Sequence, residues 1–134
     1  MDAFGRWKKG SGGQSTVELA LLLPVILFIL FGIAEFGRAF NAYITLENAA
    51  REGARLGVTG ASDAEILDRV KAVAVTLDEA RLTVQITPAE GARQRGETIT
   101  VHTTYDFPLV VPLIGQILQG QPLILEAALS MRLE

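Results

Sequence analysis

The apolar residues of the chain are concentrated in two stretches, residues 19–34 and 107–125, which are separated by segments with a regular polar pattern. The first stretch has sixteen uncharged positions between Glu18 and Glu35. At about 1.5 Å per residue, a helix of this length covers roughly 24 Å, which is short of a hydrocarbon core of about 30 Å. We therefore predict a transmembrane helix over residues 14–36, with Glu18 inside its edge.

The helical pattern continues beyond this apolar stretch. Aromatic and aliphatic residues recur at steps of three or four through residues 35–56, which is the spacing of one helix face. Opposite charges at helical spacing support the helix on an exposed face in three pairs: Glu35 with Arg38, Glu47 with Arg51 and Glu52 with Arg55. We expect one continuous N-terminal helix, which crosses the membrane in its first half and continues outside it over residues 37–57.

Residues 58–134 have the pattern of a small exported domain. Ser62 and Glu65 form a capping-box pattern that predicts the start of a second helix. Alternating apolar positions predict three strands, at residues 82–86, 99–105 and 123–133. The polar loop 90–97 predicts a hairpin between the first two strands. The predicted fold class is α+β, in which a long N-terminal helix precedes a second helix and a three-stranded or larger antiparallel sheet.

The apolar segment 107–122 separates the last two predicted strands. It is interrupted by prolines and glycines, at Pro108, Pro112, Gly115 and Gly120, and we do not expect it to form a second span. It is either a loop with a short helix that caps the sheet, or an exposed apolar surface for a partner subunit or the bilayer. The sequence leaves both alternatives open.

The charges that flank the first apolar stretch indicate its orientation. Arg6, Lys8 and Lys9 precede it, whereas charges of both signs follow it, so the amino end is predicted to stay in the cytoplasm. A cleaved secretory signal shares the basic start and the apolar stretch. However, no clean small-x-small site follows the stretch and the helical pattern runs on, so we expect the span to be retained.

A different cleavage pattern precedes the apolar stretch, in the sequence GGQSTVE of residues 12–18. A glycine that ends a short basic leader, a glutamate five residues later and a proline-containing apolar helix resemble a class III signal, the substrate of prepilin peptidases. The sequence GQSTVELALLLPVILFILFGIAEFGRAFNAYITLENAAREGARLG, which begins at Gly13, resembles the TadE-like minor pilins, or pseudopilins, of tight-adherence (Tad) type IV pilus systems. The EFGR and NAAREGAR segments and Pro24 together match the pattern of that family.

The resemblance implies that a basic leader, residues 1–13, is removed by cleavage between Gly13 and Gln14. Residues 10–12 are expected to keep this leader unstructured, because glycine-rich and serine-rich segments are flexible. In related pilins the carboxylate at the position of Glu18 is thought to meet the new amino terminus of a neighbouring subunit, so Glu18 is the expected docking residue. The alternative is a peripheral glutamate that reaches water or is protonated.

Small residues recur on the part of the helix that is predicted to lie outside the membrane. Ala49, Gly53 and Gly57 form a ridge at four-residue steps, which permits close helix approach. The ridge packs either against another subunit in a filament or against the sheet of its own domain, and the sequence favours neither alternative. Pro24, which membrane helices tolerate and which typically leaves a kink, is also expected to take part in helix packing.

The amino-acid composition limits the kinds of functional site that the chain can form. The chain has no cysteine, which excludes a disulfide, a thiolate metal site and a cysteine nucleophile. Its net charge of -3 gives no basic surplus for a nucleic-acid partner. The single histidine, His102, is predicted on the polar face of a strand, where a surface role outweighs a catalytic one, and the acids are scattered. We expect no enzyme activity, no cofactor and no metal.

The family resemblance implies a minor pilin that crosses the bacterial cytoplasmic (inner) membrane once and supports adhesion or secretion, in an extracellular pilus after assembly. The implied partners are a prepilin peptidase, other pilin subunits, membrane lipid and, indirectly, an inner-membrane assembly platform and its ATPase. One alternative is a single-pass membrane-anchored binding domain that is never processed. A second alternative is a pilus-tip adhesin.

Overall fold

The chain folds into one long helix followed by a second helix and a three-stranded antiparallel sheet, so the predicted α+β class is confirmed. The computed structural model describes residues 11–117 and 119–133. The elements are α1 (Ser11–Val58), α2 (Asp63–Val73), β1 (Leu82–Thr87), β2 (Thr98–Phe107), α3 (Pro112–Ile117) and β3 (Leu123–Arg132). One-turn 3-10 helices, Glu79–Arg81 and Glu90–Ala92, stand before and after β1. The leader charges at Arg6, Lys8 and Lys9 lie outside the described residues.

Helix α1 runs for 48 residues without a break, as the spacing of apolar residues predicted. At about 1.5 Å per residue it is roughly 72 Å long, far longer than the domain it carries. Pro24 lies inside the helix. The helix ends at Val58, two residues before Gly60, whose φ of 85° is a left-handed conformation that glycine adopts without a steric penalty.

Helix α2 begins at the predicted capping box. The Ser62 hydroxyl accepts a hydrogen bond from the Glu65 N–H, and the Glu65 carboxylate accepts one from the Ser62 N–H at 2.9 Å. Hydrogen bonds from Ser62 hold the pKa of Glu65 below its usual value. The helix turns Ile66 and Val70 into the core, where both are fully buried, and this burial fixes α2 against α1.

The sheet has the order β1-β2-β3 and both pairs of neighbours are antiparallel, so the predicted hairpin is confirmed. In the register, Leu82 is opposite Tyr105 and Phe107 is opposite Leu123. Alternate residues of β2 are buried, from Ile99 to Phe107. This apolar face packs on α1, so the long helix forms the second layer of the domain.

The core has two clusters of buried residues along α1. The distal cluster lies near the end of the helix and includes Ala49, Ala50, Ala54, Ile66, Val70, Ile99 and Val101. The proximal cluster lies nearer the apolar half and includes Ala42, Leu46, Tyr105, Phe107 and Ala127. Buried Thr103 lies at the centre of the sheet, where its hydroxyl donates to the carbonyl of Ala127 at 3.1 Å. The domain is therefore built directly on the outer half of α1.

The ridge of small residues lies inside this core. Ala49 is fully buried. A Cβ placed on Gly53 would lie 2.6 Å from Cγ2 of Val70, and one placed on Gly57 would lie 2.4 Å from Cδ1 of Ile99. Of the two alternatives for this ridge, the structure shows packing within the domain, because α2 and β2 occupy the space that the small residues leave.

Ion pairs on the surface join α1 to α2. The Glu52 carboxylate accepts hydrogen bonds from Arg55 on its own helix at 2.8 Å and from Arg69 on α2 at 2.9 Å. These two guanidinium groups lower the pKa of Glu52 to about 2. The Glu52–Arg55 pair was predicted from its spacing, whereas Arg69 comes from a different helix and carried no local signal.

We predict that Gly53→Val lowers the free energy of unfolding of the domain by about 1–3 kcal/mol, because the new side chain overlaps Val70. Gly37→Val is the matched control, since a Cβ at Gly37 meets nothing within 4 Å and the loss of glycine from the same helix is equal. Urea-dependent proteolysis of the full chain in detergent micelles measures both variants. Equal urea midpoints for the two variants would contradict the close packing of Gly53 against Val70.

Candidate functional site

The predicted cleavage bond lies in the first turns of α1. The helix begins at Ser11, so the expectation that Ser11 and Gly12 are unstructured is wrong, while Gly10 lies outside the described residues. A Cβ placed on Gly13 meets nothing within 4 Å, so the bond after it is sterically open. A peptidase that binds an extended substrate must unwind this turn, and each glycine makes unwinding easier by about 1 kcal/mol relative to alanine.

Glu18 lies one helical turn beyond Gln14. Its Oε1 accepts a hydrogen bond from Nε2 of Gln14 at 3.1 Å, and both side chains are exposed. Residues four apart share one face of a helix. The carboxylate and residue 14 therefore occupy the same face, at the edge of the apolar stretch.

The apolar half of α1 is exposed over most of its surface in the part of the chain that the structure describes. The large apolar side chains of residues 17–33 are exposed by 37% at Phe28 to 71% at Leu21. Among residues 11–117 and 119–133, α1 alone is long and apolar enough to cross a membrane, and its span window has a mean hydropathy of 2.7 with none of it buried. An exposed apolar surface of this size indicates contact with a membrane or a partner. The helix is suited to membrane anchoring.

Glu35 lies at the junction between this apolar half and the domain, directly after residues 19–34. It is only 5% exposed. Its two carboxylate oxygens each accept a hydrogen bond from Nη1 of Arg38 at 3.0 Å, and Oε1 also accepts one from the N–H of Val110 at 3.0 Å. The sequence placed the Glu35–Arg38 pair on an exposed face. That expectation is wrong for Glu35, because the segment after β2 covers it.

Arg38 adds a second contact at the same junction. Its guanidinium carbon lies 5.1 Å from the centre of the Phe107 ring, which is the geometry of a cation–π interaction. The residues of the EFGR segment therefore hold both the end of β2 and the backbone that follows it. The spacing of Glu35 and Arg38 predicted their pairing, but Val110 is 75 residues away from Glu35 and had no local signal.

The segment after β2 runs along α1. It contains the short helix α3, which one alternative for residues 107–122 expected, and it exposes Val110 and Ile117, as the other alternative expected. Val111 and Pro112 line a groove of about 450 Å³ together with Pro24 and Leu27 of α1. Part of the second apolar stretch therefore lies across a groove from part of the first.

The remaining candidate chemistry is dispersed. Nε2 of His102 lies 3.7 Å from Oε2 of Glu126 on the outer face of the sheet. In the part of the chain that the structure describes, no group of three or more histidine or acidic side chains could hold a metal ion. Long-range polar contacts also occur at the other end of the domain, where the Arg93 guanidinium donates hydrogen bonds to the Asp63 carboxylate and to the Ala61 carbonyl.

Comparison with known proteins finds one family. The family model described as TadE-like protein matches residues 13–55. The match begins at the predicted cleavage glycine and covers the apolar half, the EFGR segment and most of the outer half of α1, so the resemblance to TadE-like proteins is confirmed over this helix. No curated protein and no solved structure matches the chain.

We predict that Glu35→Ala lowers the free energy of unfolding by about 1–3 kcal/mol, because it removes the buried carboxylate that accepts hydrogen bonds from Arg38 and from the Val110 N–H. Glu47→Ala is the matched control, since it breaks an exposed pair with Arg51 on the same helix and costs about 0.3–0.5 kcal/mol. Hydrogen exchange provides a local readout: the Val110 amide exchanges faster in Glu35→Ala only. Unchanged protection of the Val110 amide from exchange in Glu35→Ala would contradict the hydrogen bond between Val110 and Glu35.

Proposed function

From the TadE-like match over residues 13–55, we propose that the chain is a minor pilin or pseudopilin of a Tad-type pilus. It is inserted in the bacterial inner membrane, processed by a prepilin peptidase and assembled through α1. The observation that carries the proposal is the uncovered apolar half of α1, which is preceded by Gly13 and has Glu18 at its edge, within the matched region.

The summed insertion free energies of the residues in the apolar half of α1 favour membrane insertion. Twelve of the sixteen residues at positions 19–34 are Leu, Ile, Val or Phe, and each contributes roughly -0.3 to -0.6 kcal/mol at the centre of a membrane helix. Their sum of roughly -4 to -7 kcal/mol exceeds the cost of one carboxylate at Glu18, which is at most about 3 kcal/mol. Basic residues in the leader favour a cytoplasmic amino end and an exported domain.

Processing hydrolyses the peptide bond between Gly13 and Gln14. Water adds across the bond, which leaves a carboxylate on the leader and an ammonium group on Gln14. The absence of a side chain at Gly13 lets a protease approach the bond once the first turn of the helix is unwound. The product carries a positive charge at the end of α1, one turn from the negative charge of Glu18.

Assembly uses that pair of charges between subunits. A carboxylate carried into an apolar bundle of helices is costly unless an opposite charge meets it. The ammonium group of a neighbouring subunit supplies this charge, so only one axial register of the helices satisfies Glu18. The pilin is a structural subunit without catalytic activity, and it supports adhesion or secretion.

The proposal defines the partners. They are a prepilin peptidase, other pilin subunits and membrane lipid, with the inner-membrane platform and its ATPase acting indirectly. Each of these partners meets α1 rather than a pocket of the domain. After assembly the exported domain is displayed on the pilus.

A permanently anchored, unprocessed binding domain is the second candidate. The observation that favours it is the helical conformation of the bond after Gly13, together with the hydrogen bond that Gln14 already gives to Glu18. In that case residues 1–13 stay on the chain and α1 serves as an anchor only.

We expect the chain to start at Gln14 after co-expression with a prepilin peptidase, and to keep its leader without the peptidase. Mass spectrometry of the membrane-extracted protein gives the first residue. Gly13→Val is expected to block cleavage, because the new side chain obstructs the approach of the protease to the bond. Gly32 is another glycine of the same helix with open space around it, and Gly32→Val is expected to be cleaved normally. An intact leader in the unmodified chain with active peptidase supports the anchored alternative.

We expect Glu18→Gln to be inserted and cleaved but to lose most of its incorporation into pili, because the amide cannot neutralise the ammonium group of a neighbour. Glu47→Gln removes an exposed carboxylate further along α1 and is expected to assemble normally. The measurement is the fraction of each variant in sheared pili. Equal incorporation of the two variants would contradict the docking role of Glu18.

A further inference from the structure

The segment between β2 and β3 is built to lie in a membrane. We propose that residues 108–117, here called the wedge, insert among the lipid acyl chains beside α1, in the half of the bilayer that faces the domain. The inference rests on the anchoring of α1 in a membrane and on no other part of the proposed function. It gives the chain a second element that contacts lipid.

The wedge belongs to the longest uncharged stretch of the sequence. Residues 107–125 contain nineteen consecutive positions without a charged side chain, framed by Asp106 and Glu126. The span itself has sixteen such positions, at residues 19–34. A surface loop of a soluble domain is normally polar, because water solvates its exposed side chains. Parts of both uncharged stretches line the same groove, which indicates that these parts share one environment.

The groove that the wedge shares with α1 gives its depth in the membrane. Val111, Pro112 and the polar Gln116 line one groove of about 450 Å³ with Pro24, Leu27 and Phe31 of α1. Pro24 is eleven residues before Glu35, which is roughly 16 Å along a helix. This distance is about half of a 30 Å hydrocarbon core. When the apolar half of α1 crosses a bilayer, the tip of the wedge reaches close to the midplane.

Several N–H groups of the wedge are hydrogen-bonded, which matters in an apolar medium because an unpaired N–H group costs several kcal/mol there. The N–H of Val110 donates to Glu35 at 3.0 Å, and that of Ile114 donates to the carbonyl of Val111 at 3.1 Å. Pro112 has no N–H to satisfy. The buried carboxylate of Glu35 is therefore the anchor that holds the start of the wedge against α1.

Two of the strongly exposed apolar side chains of the domain belong to the wedge. Beyond α1, four large apolar residues of the described part are strongly exposed: Val110 at 66% and Ile117 at 64% lie in the wedge, and Ile124 at 50% lies in β3. The fourth, Val75, is 79% exposed at the end of α2. Because the groove continues the uncovered surface of the span, whatever surrounds the span also surrounds the wedge. Lipid is the medium that does so in an anchored chain.

Spin labels on the full-length chain test this inference. The chain has no cysteine, so Val110→Cys, Ile117→Cys, Ile29→Cys and Val75→Cys each carry a single nitroxide. Val110 meets Glu35 through its backbone, so the substitution leaves that contact in place. The unprocessed protein is reconstituted in vesicles of phosphatidylethanolamine and phosphatidylglycerol, without a peptidase. Power saturation then compares collisions with oxygen, which is enriched in lipid, and with a nickel chelate, which stays in water.

We expect oxygen to dominate at positions 110 and 117, as it does at position 29 in the span, and the nickel chelate to dominate at position 75. If the nickel chelate reaches positions 110 and 117 as readily as position 75, the wedge does not insert into lipid. That result would not affect the proposal that α1 anchors the chain in the membrane. Protection from both reagents, with spin–spin broadening that disappears on dilution with lipid, would overturn it in favour of a second copy of the chain. Nickel accessibility at position 29 would contradict membrane anchoring itself.

Discussion

A single continuous helix has to satisfy two different surroundings, and the rest of the structure follows from this constraint. The apolar half of α1 is exposed over most of its surface, whereas one face of the outer half is buried under its own sheet and second helix. Burial on that face begins at Glu35, which pairs with Arg38, while Phe36 and Phe40 remain exposed. The carboxylate of Glu35 is hydrogen-bonded on both oxygens, so a charge can be buried at this boundary without an unpaired acceptor.

The parts of the fold that depend on neighbouring residues were predictable. The capping box at Ser62, the alternation in the strands and the charge pairs of α1 are encoded within a few positions, and the structure contains them. The contacts of Val110 with Glu35 and of Arg69 with Glu52 join distant parts of the chain. A single sequence has no local pattern for such contacts, so the burial of Glu35 was missed.

The candidate site divides in the same way. The residues at the start of α1, Gly13, Gln14 and Glu18, were found from their spacing and from a family resemblance that the match over residues 13–55 confirms. The start of the helix at Ser11 was not anticipated, because glycine-rich sequence favours flexibility in isolation. The partners of the ridge at Gly53 are Val70 of α2 and Val101 of β2, which are distant in sequence and leave no local pattern.

The filled ridge also determines how the domain turns. Since Val70 and Ile99 occupy the space beside Gly53 and Gly57, the sheet is fixed at one azimuth around the axis of α1. The helix is continuous from Ser11 to Val58, so a rotation of its membrane-facing half about that axis swings the domain through the same angle. The rotation of α1 about its axis in the membrane therefore determines which way the exposed surface of the domain points.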